Sequence, residues 1–323
     1  MKTCIIGIDI GGTTVKMGVL QTTGEIISKW EIPTDTSNKG QAIISQVCDS
    51  VEEQLKELNI EKNHIMGVGI GAPGFIDAEQ GFVHEAINIG WKNVELTKEF
   101  QAHLGLPVFL ENDANTAVLG ENWLGAGNQD KNVLAVTLGT GVGGGVIVNG
   151  EILNGANGTA GEIGHITINP DGLQCNCGKK GCLETIASAT GMVSQAMEMI
   201  SKHPTSLLAE HYKKTGKITT KEIFEFEKQH DLPSERIIDY TTKVLGKSLA
   251  NIATVINPSK ILIGGGVSKA GDQLLIRLKK YFELYAMRRL NEACELKLAQ
   301  LGNDAGIIGA AFLVRQHVEN VHF

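Results

Sequence analysis

The segment GEIGHITINPDGLQCNCGKKGCLE, Gly161–Glu184, holds three of the chain's six cysteines, Cys175, Cys177 and Cys182, with His165 ahead of them and Glu162 and Glu184 on either side. Three thiols and an imidazole form a soft ligand set, and the intervening glycines let the backbone curl around one ion. Zinc is the natural occupant. Four protein ligands would leave no position open for water or substrate, so the expected metal is structural. A redox cluster and unrelated cysteines are the competing readings. Two carboxylates and an imidazole converging on one point suit a ligand made of hydroxyl groups, a sugar.

Two glycine-rich tips suggest a second chemistry. In DIGGTT, Asp9–Thr14, adjacent glycines let backbone N–H groups and threonine hydroxyls approach phosphate oxygens, and Asp9 is placed to hold a Mg-bound water. It is no Walker loop, because no Gly-Lys-Ser/Thr is present and a strand follows instead of a helix. LGTGVGGG, Leu138–Gly145, has GxGxxG-like spacing without the strand-to-helix context of a dinucleotide site. The first tip alone reads equally as an ordinary hairpin and the second alone is a weak signal; two that face each other would enclose a polyphosphate. In VFLENDANTAVLGE, Val108–Glu121, an apolar strand ends at Glu111-Asn112-Asp113 and a helix of small residues begins. There Asp113 is a candidate base, held by rigid elements, that would accept a hydroxyl proton as a phosphoryl group transfers. The competing reading is that Asp113 caps the helix.

The elements that position these groups belong to an ordinary globular chain. Its 323 residues, 42% hydrophobic and 20% charged, suffice for two domains. The formal net charge is -7 and no Lys/Arg run exceeds two residues, which argues against nucleic acid and anionic membrane as partners. The apolar run in MKTCIIGIDIGG is broken by Asp9 too early for a signal peptide, and no later run approaches a membrane span, so a cytoplasmic protein with reduced thiols is expected. Cys4, Cys48 and Cys294 lie in apolar or helical patterns and read as core.

CIIGIDI, VKMGVL and GEIISKWEI read as strands, Gln41–Leu58 as a helix and HIMGVGIGAPG as a further strand. VLAVTLGTGVGGGVIVNGEIL repeats the opening order of strand, glycine tip, strand, turn, strand, which suggests two related halves; chance likeness between two hairpins is the alternative. Next come a helix from about Glu184, surface helices over 202–235 and an apolar helix over Tyr240–Ile256 ended by Pro258. KILIGGGVS and CELKLAQL read as strands, and GDQLLIRLKKYFELYAM and AGIIGAAFLVRQ as helices.

DIGGTTVKMGV, GIGAPG, ENDAN, GTGVGGG, GTAGEIGH, CNCGKKGCLE and ILIGGGVS, in that order, resemble the ROK family of sugar kinases and repressors, in particular its bacterial glucokinases, over essentially the whole chain. The resemblance implies an α/β fold of the actin-like ATPase (ribonuclease H-like) type, with two domains around a central cleft. The expected division is 1–118, with a C-terminal helix at about 305–323 packing back on it, and 119–304, which carries the zinc loop 165–182. The implied activity is ATP-dependent phosphorylation of glucose at its 6-hydroxyl, with Mg on the phosphates. Kinases for N-acetylmannosamine or other hexoses, and a catalytically silent sugar sensor, share nearly all these motifs.

Matching positions make Asp113 the catalytic base and assign the sugar hydroxyls to Asn112, Asp113, Glu162, His165 and Glu184, with Gly71 and Asn88 completing the pocket. Asp9, Gly11, Gly12, Thr13, Thr14, Lys16, Thr140 and Gly141 are implied around the phosphates, and Gly265 near the adenosine. His165, Cys175, Cys177 and Cys182 match the family's zinc ligands, so that His165 would present one ring nitrogen to zinc and the other to the sugar. Family repressors carry a helix-turn-helix ahead of the first strand, and this sequence enters that strand at about its third residue, which favours the kinases. A homodimer is expected from the same resemblance.

Overall fold

The computed structural model describes residues 2–323. Its first elements are β1 (Cys4–Ile10), β2 (Thr14–Gln21), β3 (Ile26–Pro33), α1 (Ile43–Glu57) and β4 (Ile65–Ala72), the order the apolar periodicity implies. A short antiparallel sheet follows, β5 (Phe75–Asp77), β6 (Phe82–Ala86) and β7 (Trp91–Val94), which the residue pattern does not announce. Then come α2 (Leu96–Leu104), β8 (Val108–Asn112) and α3 (Asp113–Leu124).

The second series begins with β9 (Val133–Leu138), β10 (Val142–Val148) and β11 (Glu151–Ile152), followed by the short α4 (Glu184–Ala187), α5 (Ala189–Lys202), α6 (Leu207–Thr215) and α7 (Thr220–Glu227). It ends with α8 (Leu232–Ile256), β12 (Lys260–Gly264), α9 (Asp272–Tyr285), α10 (Arg288–Ala293), β13 (Glu295–Leu298) and α11 (Ala305–Glu319). Helix α8 starts at Leu232, ahead of the expected Tyr240. The Asp231 side chain accepts from Ser234 N–H at 3.2 Å, and a proline sits in the first turn, so the start carries standard capping chemistry.

Among the described residues, two five-stranded sheets run β3-β2-β1-β4-β8 and β11-β10-β9-β12-β13. Both read third, second, first, fourth, fifth, so the repeat suspected from two glycine tips extends over whole sheets. In each, the first strand pairs in parallel with the fourth and the fourth with the fifth. The chain forms two compact units: one reaches Lys131 and takes in Gly145–Ala160 and Gln300–Phe323, and the other comprises Asn132–Gly144 and Gly161–Ala299.

In the first unit α11 lies against β1, β4 and α3 at backbone distance. A Cβ on Gly69 would fall 1.8 Å from the Ala310 carbonyl oxygen, one on Gly7 2.1 Å from that of Ile307, and one on Gly309 1.7 Å from that of Thr116. Only residues without a side chain allow this approach. We expect Gly69→Ala to force α11 off the sheet at a cost of about 3 kcal/mol, lowering the thermal midpoint by roughly 5–10 °C. Thermal melts of the two proteins check this; an unchanged midpoint would show that the helix has room to shift.

Candidate functional site

In the first unit the expected residues gather at the carboxyl ends of the parallel strands, where open α/β sheets place their ligands. Asp9 is in register with Gly71 and Gly71 with Glu111, while Ala72 is in register with Asn112. A Cβ on Gly71 would meet Thr116 Oγ1 at 2.4 Å, so what Gly71 can offer a ligand is its backbone. The tip after β1 is closed by Gly11 N–H donating to the Thr14 carbonyl at 3.1 Å and braced by Thr34, whose hydroxyl donates to the Gly11 carbonyl at 2.7 Å. Gly12 and Thr13 are exposed, and a Cβ on Gly12 would lie 3.7 Å from that of Asn88, which places Asn88 beside the tip.

Asp9 faces Lys16, its cross-strand partner, at 4.0 Å. Burial pushes the Asp9 carboxyl above the usual range, and the Lys16 charge only partly opposes this. At the other strand end the side chain of Asn112, not that of Asp113, caps α3: Asn112 Oδ1 accepts from Ala114 N–H at 2.9 Å and from Asn115 N–H at 3.4 Å. Asp113 is the first helical residue, its Oδ1 2.8 Å from the Ala114 nitrogen and its carbonyl accepting from the Thr116 hydroxyl at 2.8 Å. The N-cap position is thus that of Asn112, while both side chains accept from the Ala114 N–H.

In the second unit Thr140 and Gly141 form the tip between β9 and β10, closed by Gly139 N–H donating to the Gly141 carbonyl at 3.0 Å. Thr190 donates to the Thr140 carbonyl at 2.9 Å. Gly265, with φ at +84°, packs where a Cβ would lie 2.5 Å from the Leu138 carbonyl oxygen, at the end of β9. Glu184, first residue of α4, touches both this tip and the cysteines. Its Oε2 accepts from Val142 N–H at 3.2 Å, and its Oε1 lies 3.5 Å from Cys175 Sγ.

The cysteines are shaped by a tight loop. Gln174 bridges Lys180, Cys175 N–H donates to the Lys179 carbonyl at 2.8 Å, and Thr167 bridges Cys182. Gly181 takes φ +65°, with Asn169 O where a Cβ would stand, 1.5 Å away. The ligand atoms of His165, Cys175, Cys177 and Cys182 lie within 4.8 Å of one another. Cys177 and Cys182 sulfurs are 3.6 Å apart, and Cys175 Sγ is 3.6 Å from His165 Nδ1. A tetrahedral ion with metal–sulfur bonds of about 2.3 Å requires edges of about 3.6–3.8 Å, so the cluster fits a bound metal ion. His165 Nδ1 faces the thiols while Nε2 lies 3.8 Å from Glu162 Oε2. Burial pushes the Cys175 thiol up to about 12 and raises Cys182, whereas the Lys179 N–H holds Cys177 down. A cation among them would favour the thiolates.

Cys4, Cys48 and Cys294 are buried, the last two with thiols pushed up to about 12 by desolvation, as core residues should be. One group beside the site is not marked by spacing: Glu111, buried to 4% exposure and bonded to Asn115 and Asn154. The charged residue within an apolar strand was the available signal.

The ROK family model matches residues 5–317. A glucokinase of Halalkalibacterium halodurans is 49% identical over 312 residues, 96% of this chain and 94% of that protein. A glucokinase of Thermotoga maritima is 37% identical over 321 residues, 98% and 99% of the two chains. The crystal structure of a ROK family glucokinase from Streptomyces griseus, in complex with glucose and AMPPNP, superposes with a TM-score of 0.79 at 35% identity, covering 97% of this chain and 99% of that one. The α/β architecture with two mixed five-stranded sheets is therefore that of ROK sugar kinases, the actin-like ATPase fold.

The position of Asp9 has a consequence for stability. Its folded-state value stands above that of the unfolded chain, so between those values the folded protein binds the proton more tightly, and above them the half-buried carboxylate costs stability. Asp9→Asn should therefore raise the thermal midpoint of the nucleotide-free protein at pH 7 by about 2 °C or more, a gain that fades as pH falls toward about 4. Melts at both pH values decide; a lower midpoint at pH 7 would contradict the assigned cost.

Proposed function

The chain belongs to the ROK family, and from that membership we propose that it is an ATP-dependent glucokinase, with Asp113 as the base that accepts the proton of the sugar 6-hydroxyl. The observation that supports this is the place of Asp113 as first residue of α3, just past the end of β8, where Glu111 is in register with Gly71 and Gly71 with Asp9 ahead of the glycine tip. The 6-oxygen bonds to the γ-phosphorus as the bond to the ADP oxygen breaks, and the proton passes to Asp113. In a largely dissociative transfer the base acts late and chiefly orients the hydroxyl, so a strongly raised carboxyl is not needed.

Asn112, Glu162, His165 and Glu184 are assigned to the sugar hydroxyls, with backbone from Gly71 and the side chain of Asn88. The phosphates of ATP are assigned to Gly11, Gly12, Thr13, Thr14, Lys16, Thr140 and Gly141, and the adenosine end to Gly265. The exposure of Gly12 and Thr13 at the first tip and of Thr140 at the second supports this. Mg, held through Asp9, would neutralise phosphate charge. We take the ion of the thiol cluster to be zinc, since three thiolates and an imidazole at tetrahedral spacing suit it and leave no open position. Its contribution would be to fix the His165 tautomer, leaving Nε2 for a sugar hydroxyl. Among the described residues no helix is long and apolar enough to cross a membrane. We place the enzyme in the cytoplasm, as a homodimer by family analogy.

Assayed by ADP release with glucose, mannose, fructose, N-acetylmannosamine and N-acetylglucosamine, the enzyme should turn over glucose with the highest kcat/KM. Asp113→Asn should lose about 10²-fold or more of kcat while still binding glucose. Near-normal turnover in that variant would remove Asp113 from its role, and preference for another hexose would reassign the substrate.

Elemental analysis of freshly purified protein should find about one zinc per chain. Cys182→Ser should lose the metal and raise the KM for glucose about 10-fold or more. Metal-free protein with an unaltered KM would leave the cluster without the proposed role.

A further inference from the structure

We propose that Glu111 is a positioning residue for the transfer: locked in a ring with Asn115 and Asn154, its carboxylate sets the peptide from which Asp113 is presented. The inference rests on the reading of Asp113 as the base. Glu111 is 4% exposed and, among the described residues, its oxygens are met by N–H donors and not by a cation. Oε1 accepts from Asn112 backbone N–H at 2.7 Å and from Asn115 Nδ2 at 3.0 Å; Oε2 accepts from Asn154 Nδ2 at 3.1 Å. Asn115 Nδ2 also donates to Asn154 Oδ1 at 3.1 Å, which closes the ring.

A buried carboxylate without a cation is a poor way to gain stability, since an apolar side chain of similar volume would avoid the desolvation cost. What it supplies is direction. A carboxylate only accepts, so both amides must turn their N–H groups toward it, and the Asn112 N–H is aimed at the same oxygen. The next residue is Asp113, whose carbonyl is held at 2.8 Å by the buried Thr116. The peptide that precedes the base is thereby fixed on one side by Glu111 and on the other by the first turn of α3. Misplacement of a reacting group by about 1 Å costs on the order of 10²-fold in rate.

The ring's polarity makes the proposal testable. In Glu111→Gln, one acceptor becomes a donor that faces Asn154 Nδ2, and turning the Asn154 amide only moves the conflict to Asn115. In Asn154→Asp, two carboxylates meet. In the double variant Glu111→Gln/Asn154→Asp the introduced amide donates to the introduced carboxylate, Asn115 donates to both, and the Asn112 N–H keeps its acceptor, so every partner and the net charge are restored.

We expect each single variant, folded by circular dichroism at 25 °C, to lose about 30-fold or more in kcat/KM for glucose. The KM for ATP should stay within about twofold, and the double variant should recover to within about fivefold of wild type. Should a single variant not fold, Asn154→Ala, which removes one donor and one acceptor without adding repulsion, should lose about threefold or more.

A purely structural ring would lower the thermal midpoint and leave kcat/KM of the folded protein within about threefold; that result, or failure of the double variant to recover, overturns the proposal. Asp113→Asn is measured alongside. If it is inactive while the ring variants match wild type, only this inference fails; if it turns over normally, the underlying assignment fails.

Discussion

Backbone-to-backbone contact between α11, α3 and the first sheet is the constraint on which the rest of this protein depends. Gly7 and Gly69 on adjacent strands face the carbonyls of Ile307 and Ala310, Gly309 faces that of Thr116, and Gly120 that of Ala305. A glycine inside a helix or strand costs roughly 0.5–1 kcal/mol relative to alanine, so four such positions are a real expense. In return, two helices and two strands come closer than side chains would permit, and little freedom remains for the ends of those elements. Asp9, next to last in β1, lies against Gly306 of α11, and Asp113 begins α3. The carboxylate beside the glycine tip and that of Asp113, the proposed base, are thus set by one packed layer.

Within that layer, buried charge is handled by N–H donors more than by cations. Glu121, 4% exposed, accepts from the backbone of Ala126, Gln300 and Leu301, at 2.6 Å in the last case. Glu111 uses one backbone and two side-chain amides. Ion pairs such as Lys62–Glu52 and Arg288–Glu292 are exposed and contribute little. Asp9 departs from this pattern. It is half-buried, its partner Lys16 stands 4.0 Å away, and its carboxyl is raised, the condition expected where a group is arranged for a ligand and not for the fold.

How much of this the residues announce depends on how local the physics is. The buried strands, the glycine tips and the soft ligand set of Gly161–Glu184 rest on patterns within about twenty residues, and all were legible. Asp231, the first-turn proline and the charged stretch after them show why α8 started earlier than its apolar run: capping signals outweighed hydropathy. Residue type does not say which of Asn112 and Asp113 is the N-cap, because either side chain caps well; only the backbone settles which one is outside the helix. The Glu111–Asn154 bond joins side chains 43 positions apart, and no short-range rule reaches it. The small sheet β5-β6-β7 is hidden by its brevity and by polar residues such as His84 and Lys92.

The repeated sheet order also shows how one scaffold came to carry two chemistries. Asp9 is in register with Gly71 in the first sheet, and Thr137 with Gly264 in the second, so the same place on the frame holds a carboxylate in one half and a neutral hydroxyl in the other. The second tip obtains its carboxylate from outside the sheet. Glu184 arrives on α4 and accepts from Val142 N–H, and a Cβ on Gly141 would collide with it at 2.2 Å. Because Glu184 follows Cys182 by two residues and reaches Cys175 at 3.5 Å, its position is tied to the ligand loop. An acid built into a strand is fixed by the sheet; one delivered on a short helix needs a separate anchor, and a four-ligand metal loop supplies that rigidity over few residues. The cluster therefore belongs with the half of the duplicated frame whose tip lacks an acid of its own.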